Sequence, residues 1–125
     1  MPKTRSQMTP QEAQNYIDSY FATVDTLNSS LTKYQILAAG AATPEEKSTY
    51  NAEALRAMRE LELLTNKRRA FQANTAIVNP PDGPTVERTR QISAAVAQIQ
   101  ATDANFNAIV AGMTSAITEF NKIHA

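Results

Sequence analysis

Apolar residues recur along this chain at alternating intervals of four and three. In the first stretch the line runs through Ala13, Ile17, Tyr20, Val24, Leu27, Leu31, Tyr34 and Ala38. A second line is weaker, because small and polar residues interrupt it: Tyr50, Ala54, Ala57, Leu61, Leu64, Arg68, Phe71, Thr75 and Val78. A third runs through Ile92, Val96, Ile99, Asp103, Phe106, Val110, Met113, Ile117 and Phe120. The mean interval, about 3.5 residues, is that of helices winding around one another with a left-handed twist. No window alternates apolar and polar residues with β-branched enrichment between turn signals, so strands are not expected.

Start and stop signals delimit three helices. Thr9-Pro10-Gln11-Glu12 reads as a capping box with proline at the first helical position, and Thr43-Pro44-Glu45-Glu46 repeats it. A tyrosine follows each threonine by seven residues, at Tyr16 and Tyr50, which two independently capped helices explain without duplication. Gly40 is expected to stop the first helix in a left-handed conformation. Asn79-Pro80-Pro81-Asp82-Gly83-Pro84 breaks the chain before the third, with Asp82 or Gly83 as cap. The spacing therefore predicts helices over about 10–39, 44–78 and 84–122, about 45, 52 and 59 Å long.

Short connections make neighbours antiparallel, so the expected fold is all-α: an elongated up-down-up three-helix bundle with coiled-coil-like packing. Residues 1–8 are polar and aperiodic and read as a flexible arm, with 9–125 as a single domain. The third helix outruns the others, leaving Ile117, Phe120 and Ile123 to project or to cap the bundle. A break near Gly112 is not expected, since neither proline nor cap lies between Ala108 and Ala116.

Composition narrows the chemistry. Lys plus Arg and Asp plus Glu number 12 each, which argues against a nucleic-acid or membrane-surface binder. There is no cysteine, hence no disulfide or thiolate chemistry, and the single His124 cannot centre a metal site or a triad. No P-loop, dinucleotide fingerprint or H-E-x-x-H motif occurs, and Glu45-Glu46 and Glu60-Glu62 read as solvated faces. No catalytic residue, metal ligand or cofactor is implied. No apolar run follows the basic N-terminus, which suggests a cytoplasmic protein, with export by a route lacking a cleaved signal left open. No segment is apolar enough to span a membrane.

Four features remain. The third helix carries a small-residue face, Ala97, Ala101, Ala104, Ala108, Ala111 and Ser115, with Gly112 beside it. This face reads as packing for a neighbouring helix or, in the alternative, as a contact between copies. Arg68 and Asp103 interrupt the apolar lines as candidate buried polar residues that set register or snorkel outward; Arg68 falls level with Tyr20. Lys67, Arg69, Arg88 and Arg90, with Lys3 and Arg5, converge near the proline-rich turn as a candidate anion patch. Phe21, Ile36, Leu37, Leu55 and Leu63 lie off the lines and become an interface if they join. These features suggest a non-enzymatic helical protein that acts by binding another protein, as inhibitors, immunity proteins, chaperones and assembly subunits do. Its candidate interface is Ile117, Phe120, Ile123, Ala104, Ala108 and Gly112. A self-assembling subunit using the alanine face is the alternative, and a small-ligand carrier or enzyme with a site between helices is a third.

Overall fold

The structure, a computed structural model, describes residues 2–101 and 106–124. They form four helices: α1 Pro10–Ala39, α2 Pro44–Gln72, α3 Gly83–Ala101 and α4 Phe106–Ile123. No strand occurs among the described residues. The helical class expected from the periodicity holds, but the third helix is two.

The helix starts follow the sequence signals. Thr9 Oγ1 accepts from the Glu12 N–H (3.1 Å), and the Glu12 carboxylate accepts from the Thr9 N–H (2.9 Å). Thr43 Oγ1 caps Glu46 likewise, although the Glu46 carboxylate reaches back to the Ala42 N–H instead. Asp82 Oδ1 caps α3 by accepting from the Thr85 N–H (2.8 Å).

The stops differ from expectation. Gly40 keeps a negative φ of −98°, and its N–H donates to Ile36 O at 3.2 Å. α2 ends at Gln72, not near 78, because Asn74 takes the left-handed conformation at φ 62°. The Thr75 N–H then donates to Ala70 O and the Asn74 N–H to Phe71 O, the paired bonds of a Schellman stop. Val78, expected on the α2 line, is thereby freed to leave the helix.

The helices run up, down, up and down. α3 lies parallel to α1: Arg90 meets Asp18, and Gln100 meets Ser29. α4 returns along α3, with Arg88 opposite Glu119 and Val96 opposite Gly112. α1 packs against all three others, and α2 reaches α4 through side chains such as Arg56 to Thr114 and Lys67 to Asn121. The expected overhang is reversed by this arrangement. α3 and α4, with 19 and 18 residues, span about 28 Å, whereas α1 and α2, with 30 and 29, span about 44 Å. The far end of the α1–α2 hairpin therefore extends beyond the α3–α4 pair.

The core draws on the apolar lines, several of whose members are only partly buried, and adds Tyr16 and Ile109 from outside them. Tyr16, Leu27 and Tyr34 of α1, Ala57 and Phe71 of α2, Val96 of α3, and Ile109, Met113 and Phe120 of α4 are buried. Full burial of each large side chain stabilises the fold by about 1.5–3 kcal/mol. A second line of α1 is buried although polar: Ser19, Thr23, Thr26 and Ser30. Thr23 and Thr26 satisfy their hydroxyls on the carbonyls four residues back, at 2.8 and 2.9 Å. Their small bulk lies between the α1 positions that meet α3 and those that meet α4.

In place of a loose arm, residues 3–8 make specific contacts. The Lys3 N–H donates to Val78 O (2.8 Å), and the Val78 N–H donates back to Lys3 O (2.9 Å). Lys3 Nζ also pairs with Glu12 at 3.0 Å. On the other side of Val78, the Asn79 N–H donates to Ile123 O at 2.6 Å and His124 forms a β-bridge with Val78.

Candidate functional site

Polar and aromatic chemistry is densest at this stapled end. Tyr16 stacks on Phe71 with centroids 3.8 Å apart, and the rings of Phe120 and His124 lie 5.7 and 5.5 Å from it. Tyr16 Oη and His124 Nε2 are 2.7 Å apart. Burial, and then the nearby charge of Lys67, lower the His124 pKa to about 4. Burial pushes the Tyr16 hydroxyl well above its ordinary value. At neutral pH both groups are therefore uncharged, and the imidazole tautomer sets which of the two donates. With its nitrogen occupied and its ring between Tyr16 and Phe120, His124 serves packing.

Arg68 lies where the register places it, with its guanidinium 5.1 Å from the centroid of the Tyr20 ring. Its Nε is buried without a hydrogen-bond partner among the described residues. Cation–π attraction of about 1–2 kcal/mol holds it over the ring. Its counterpart Asp103 lies outside the described residues.

The anion patch does not assemble as a free cationic surface. Arg88 pairs with Glu119 at 3.0 Å and Arg90 with Asp18 at 3.4 Å. Lys67 Nζ donates to Asn121 (2.6 Å), and Arg69 stands exposed in the last turn of α2. Arg5 donates to Gln72 O. The carboxylates beside Arg88 and Arg90 also account for two cations near a helix start, where the dipole alone disfavours them.

The expected interface is mostly interior. Phe120 and Ile123 are 0% and 3% exposed, and Ile117 is partly buried, because α4 folds back and its end packs against Tyr16 and Tyr20. Ala108 is partly buried, and Gly112 meets Val96 so closely that an added Cβ would overlap it. Ala104 lies outside the described residues. Ala97, Ala111 and Ser115 remain exposed, so the fold divides the alanine face between α3 and α4.

A groove of about 420 Å³ lies between α1 and α3. Phe21, 49% exposed, stands at its edge. Ala22, Ser93, Ala94 and Ala97 form its small-residue bed, and Asp18, Asp25 and Arg90 flank it. Asp18, Phe21, Ala22 and Asp25 share one face of α1, spaced three, four and seven residues from the first. This spacing was readable in the sequence, but the polar ends conceal it from a search for apolar lines. Leu55 and Met58 are separate exposed apolar residues of α2.

No group of three or more potential metal ligands occurs among the described residues, and no described helix is long and apolar enough to cross a membrane. Comparison with protein-family models, curated proteins and solved structures gives no match.

Proposed function

We propose that this chain is a non-enzymatic helical protein that acts by protein–protein contact, with the α1–α3 groove as its recognition surface. The observation that carries the reading is Phe21, half exposed beside alanines and a serine in a groove between two helices. A small-residue bed lets an incoming helix approach closely, and an aromatic at its rim supplies the rigid contact area that dominates binding energy.

The test is comparative capture from the native source with three baits: parent, Phe21→Glu, and Ile36→Glu as an exposed apolar control at the far end of α1. A captured protein retained by parent and Ile36→Glu but lost by Phe21→Glu, with all three equally helical by circular dichroism, is the expected result. Identical capture by all three overturns the reading.

The alternative, a self-assembling structural subunit, is favoured by the exposure of Ala94 and Ala97 in the same groove. Light scattering that finds a concentration-independent monomer removes it.

A further inference from the structure

The parallel register of α1 and α3 leaves one charge in the groove without its expected partner. Arg90 pairs with Asp18, and Gln100 pairs with Ser29, so α3 residues stand 72 or 71 positions after their α1 neighbours. Ala97 is therefore opposite Asp25. One heptad earlier α3 offers an arginine to the aspartate; here it offers a methyl group. Asp25 is exposed and has no ion-pair partner among the described residues, and it lies one helical turn beyond Phe21. The groove thus presents an apolar rim and, about 6 Å along, an unanswered carboxylate above vacant space.

The outer face of α2 carries the complementary pattern. Leu55 is 49% exposed, and Arg59, one turn on, is exposed without an ion-pair partner among the described residues. The spacing from Leu55 to Arg59 equals that from Phe21 to Asp25. Leu55 lies on the side of α2 opposite the buried Ala57 and Leu64. The two surfaces are distinct patches of one molecule and can meet only between molecules.

We propose that the α1–α3 groove takes α2 of a second copy of this chain, with Leu55 against Phe21 and the alanine bed and Arg59 on Asp25. Charge complementarity selects this occupant over a symmetric pairing of grooves. Asp18 and Asp25 lie three residues before and four after Phe21 on α1, so a two-fold axis there sets Asp25 beside the Asp18–Arg90 pair, whose cation is already engaged, and not beside an unpaired one. The contact is heterologous: each copy offers one groove and one ridge, so assembly continues past the dimer unless a ring closes. It rests on the groove being a protein-docking surface, and it names the occupant.

The test is analytical ultracentrifugation of the whole chain at low salt, up to about millimolar concentration. The average mass of the parent is expected to rise beyond a dimer with concentration. Phe21→Glu, which disables the groove, and Leu55→Glu, which disables the ridge, each give monomers with unchanged helicity. An equimolar mixture of the two recovers a dimer and stops there, because one variant retains the ridge and the other the groove. Asp25→Asn weakens association at least threefold and lessens its salt dependence. A monomeric parent, a monomeric mixture, or association lost by only one of the two Glu variants overturns the proposal. A monomeric parent whose Phe21→Glu variant still loses a captured protein overturns self-docking alone; unchanged capture overturns the docking surface itself.

Discussion

Gly112 faces Val96 where α4 packs on α3, and replacing it with alanine separates two opposing effects. In an unconstrained helix interior Gly→Ala stabilises by about 0.8–1 kcal/mol. Here the new Cβ would overlap Cγ2 of Val96, a residue only 1% exposed. Val96 cannot turn aside cheaply, because a β-branched residue in a helix has one strongly preferred rotamer. Either the helices part or Val96 strains, at about 1–3 kcal/mol. Gly112→Ala should therefore lower stability by about 1 kcal/mol net. Val96→Ala removes two buried methyl groups, about 1.6 kcal/mol of transfer energy. With the cavity it leaves, the loss is about 2–3 kcal/mol. In the double variant the methyl group added by Gly112→Ala enters the vacated space, so the pair should be coupled favourably by about 1.5 kcal/mol or more. Urea unfolding followed by far-ultraviolet circular dichroism measures all four proteins, and the cycle is valid if the slopes agree. A Gly112→Ala protein more stable than the parent, with additive effects in the double variant, refutes the close approach of α3 and α4.

Two further predictions concern the stapled end. His124 titrates at about 4 when folded and about 6.5 when unfolded, so between these values the unfolded chain binds the extra proton. Stability contributed by the neutral imidazole is complete above about pH 6.5 and is lost as pH falls toward 4, by at most about 3 kcal/mol; His124→Gln should flatten that part of the profile relative to the parent. Asn74 holds φ 62°, and its Oδ1 accepts from the Ser6 N–H at 3.0 Å. Asn74→Ala should cost about 1–2 kcal/mol and Asn74→Gly distinctly less, with denaturant midpoints giving the order.

Helix starts were the most legible part of the sequence, because a threonine hydroxyl, a proline and a glutamate act within four residues of one another. The level pairing of Arg68 and Tyr20 was also legible, since helical rise and a short turn set it. The division into α3 and α4 was not. The stretch Thr102-Asp103-Ala104-Asn105 holds neither glycine nor proline, and the apolar spacing continues in phase across it. An uninterrupted 3.5-residue line describes one long helix as well as two that fold together, because both halves bury the same face. The hydroxyl line of α1 was missed for a related reason. Ser19, Thr23, Thr26 and Ser30 share the apolar period, but a search for apolar residues excludes small hydroxyls, even where, as at Thr23 and Thr26, they bond their own backbone. The groove escaped because its recognition features are a single aromatic and the absence of bulk opposite Asp25, and an absence registers only when two helices are laid side by side.

Val78 has Lys3 on one side and His124 on the other, which places those two residues two strand spacings apart, about 10 Å. A linker of about five glycine and serine residues spans that gap. The chain should accordingly tolerate circular permutation, with residues 3 and 124 joined and new termini opened in the loop between Gly40 and Thr43. The permutant would carry its ends at the opposite pole and leave the four-helix arrangement intact.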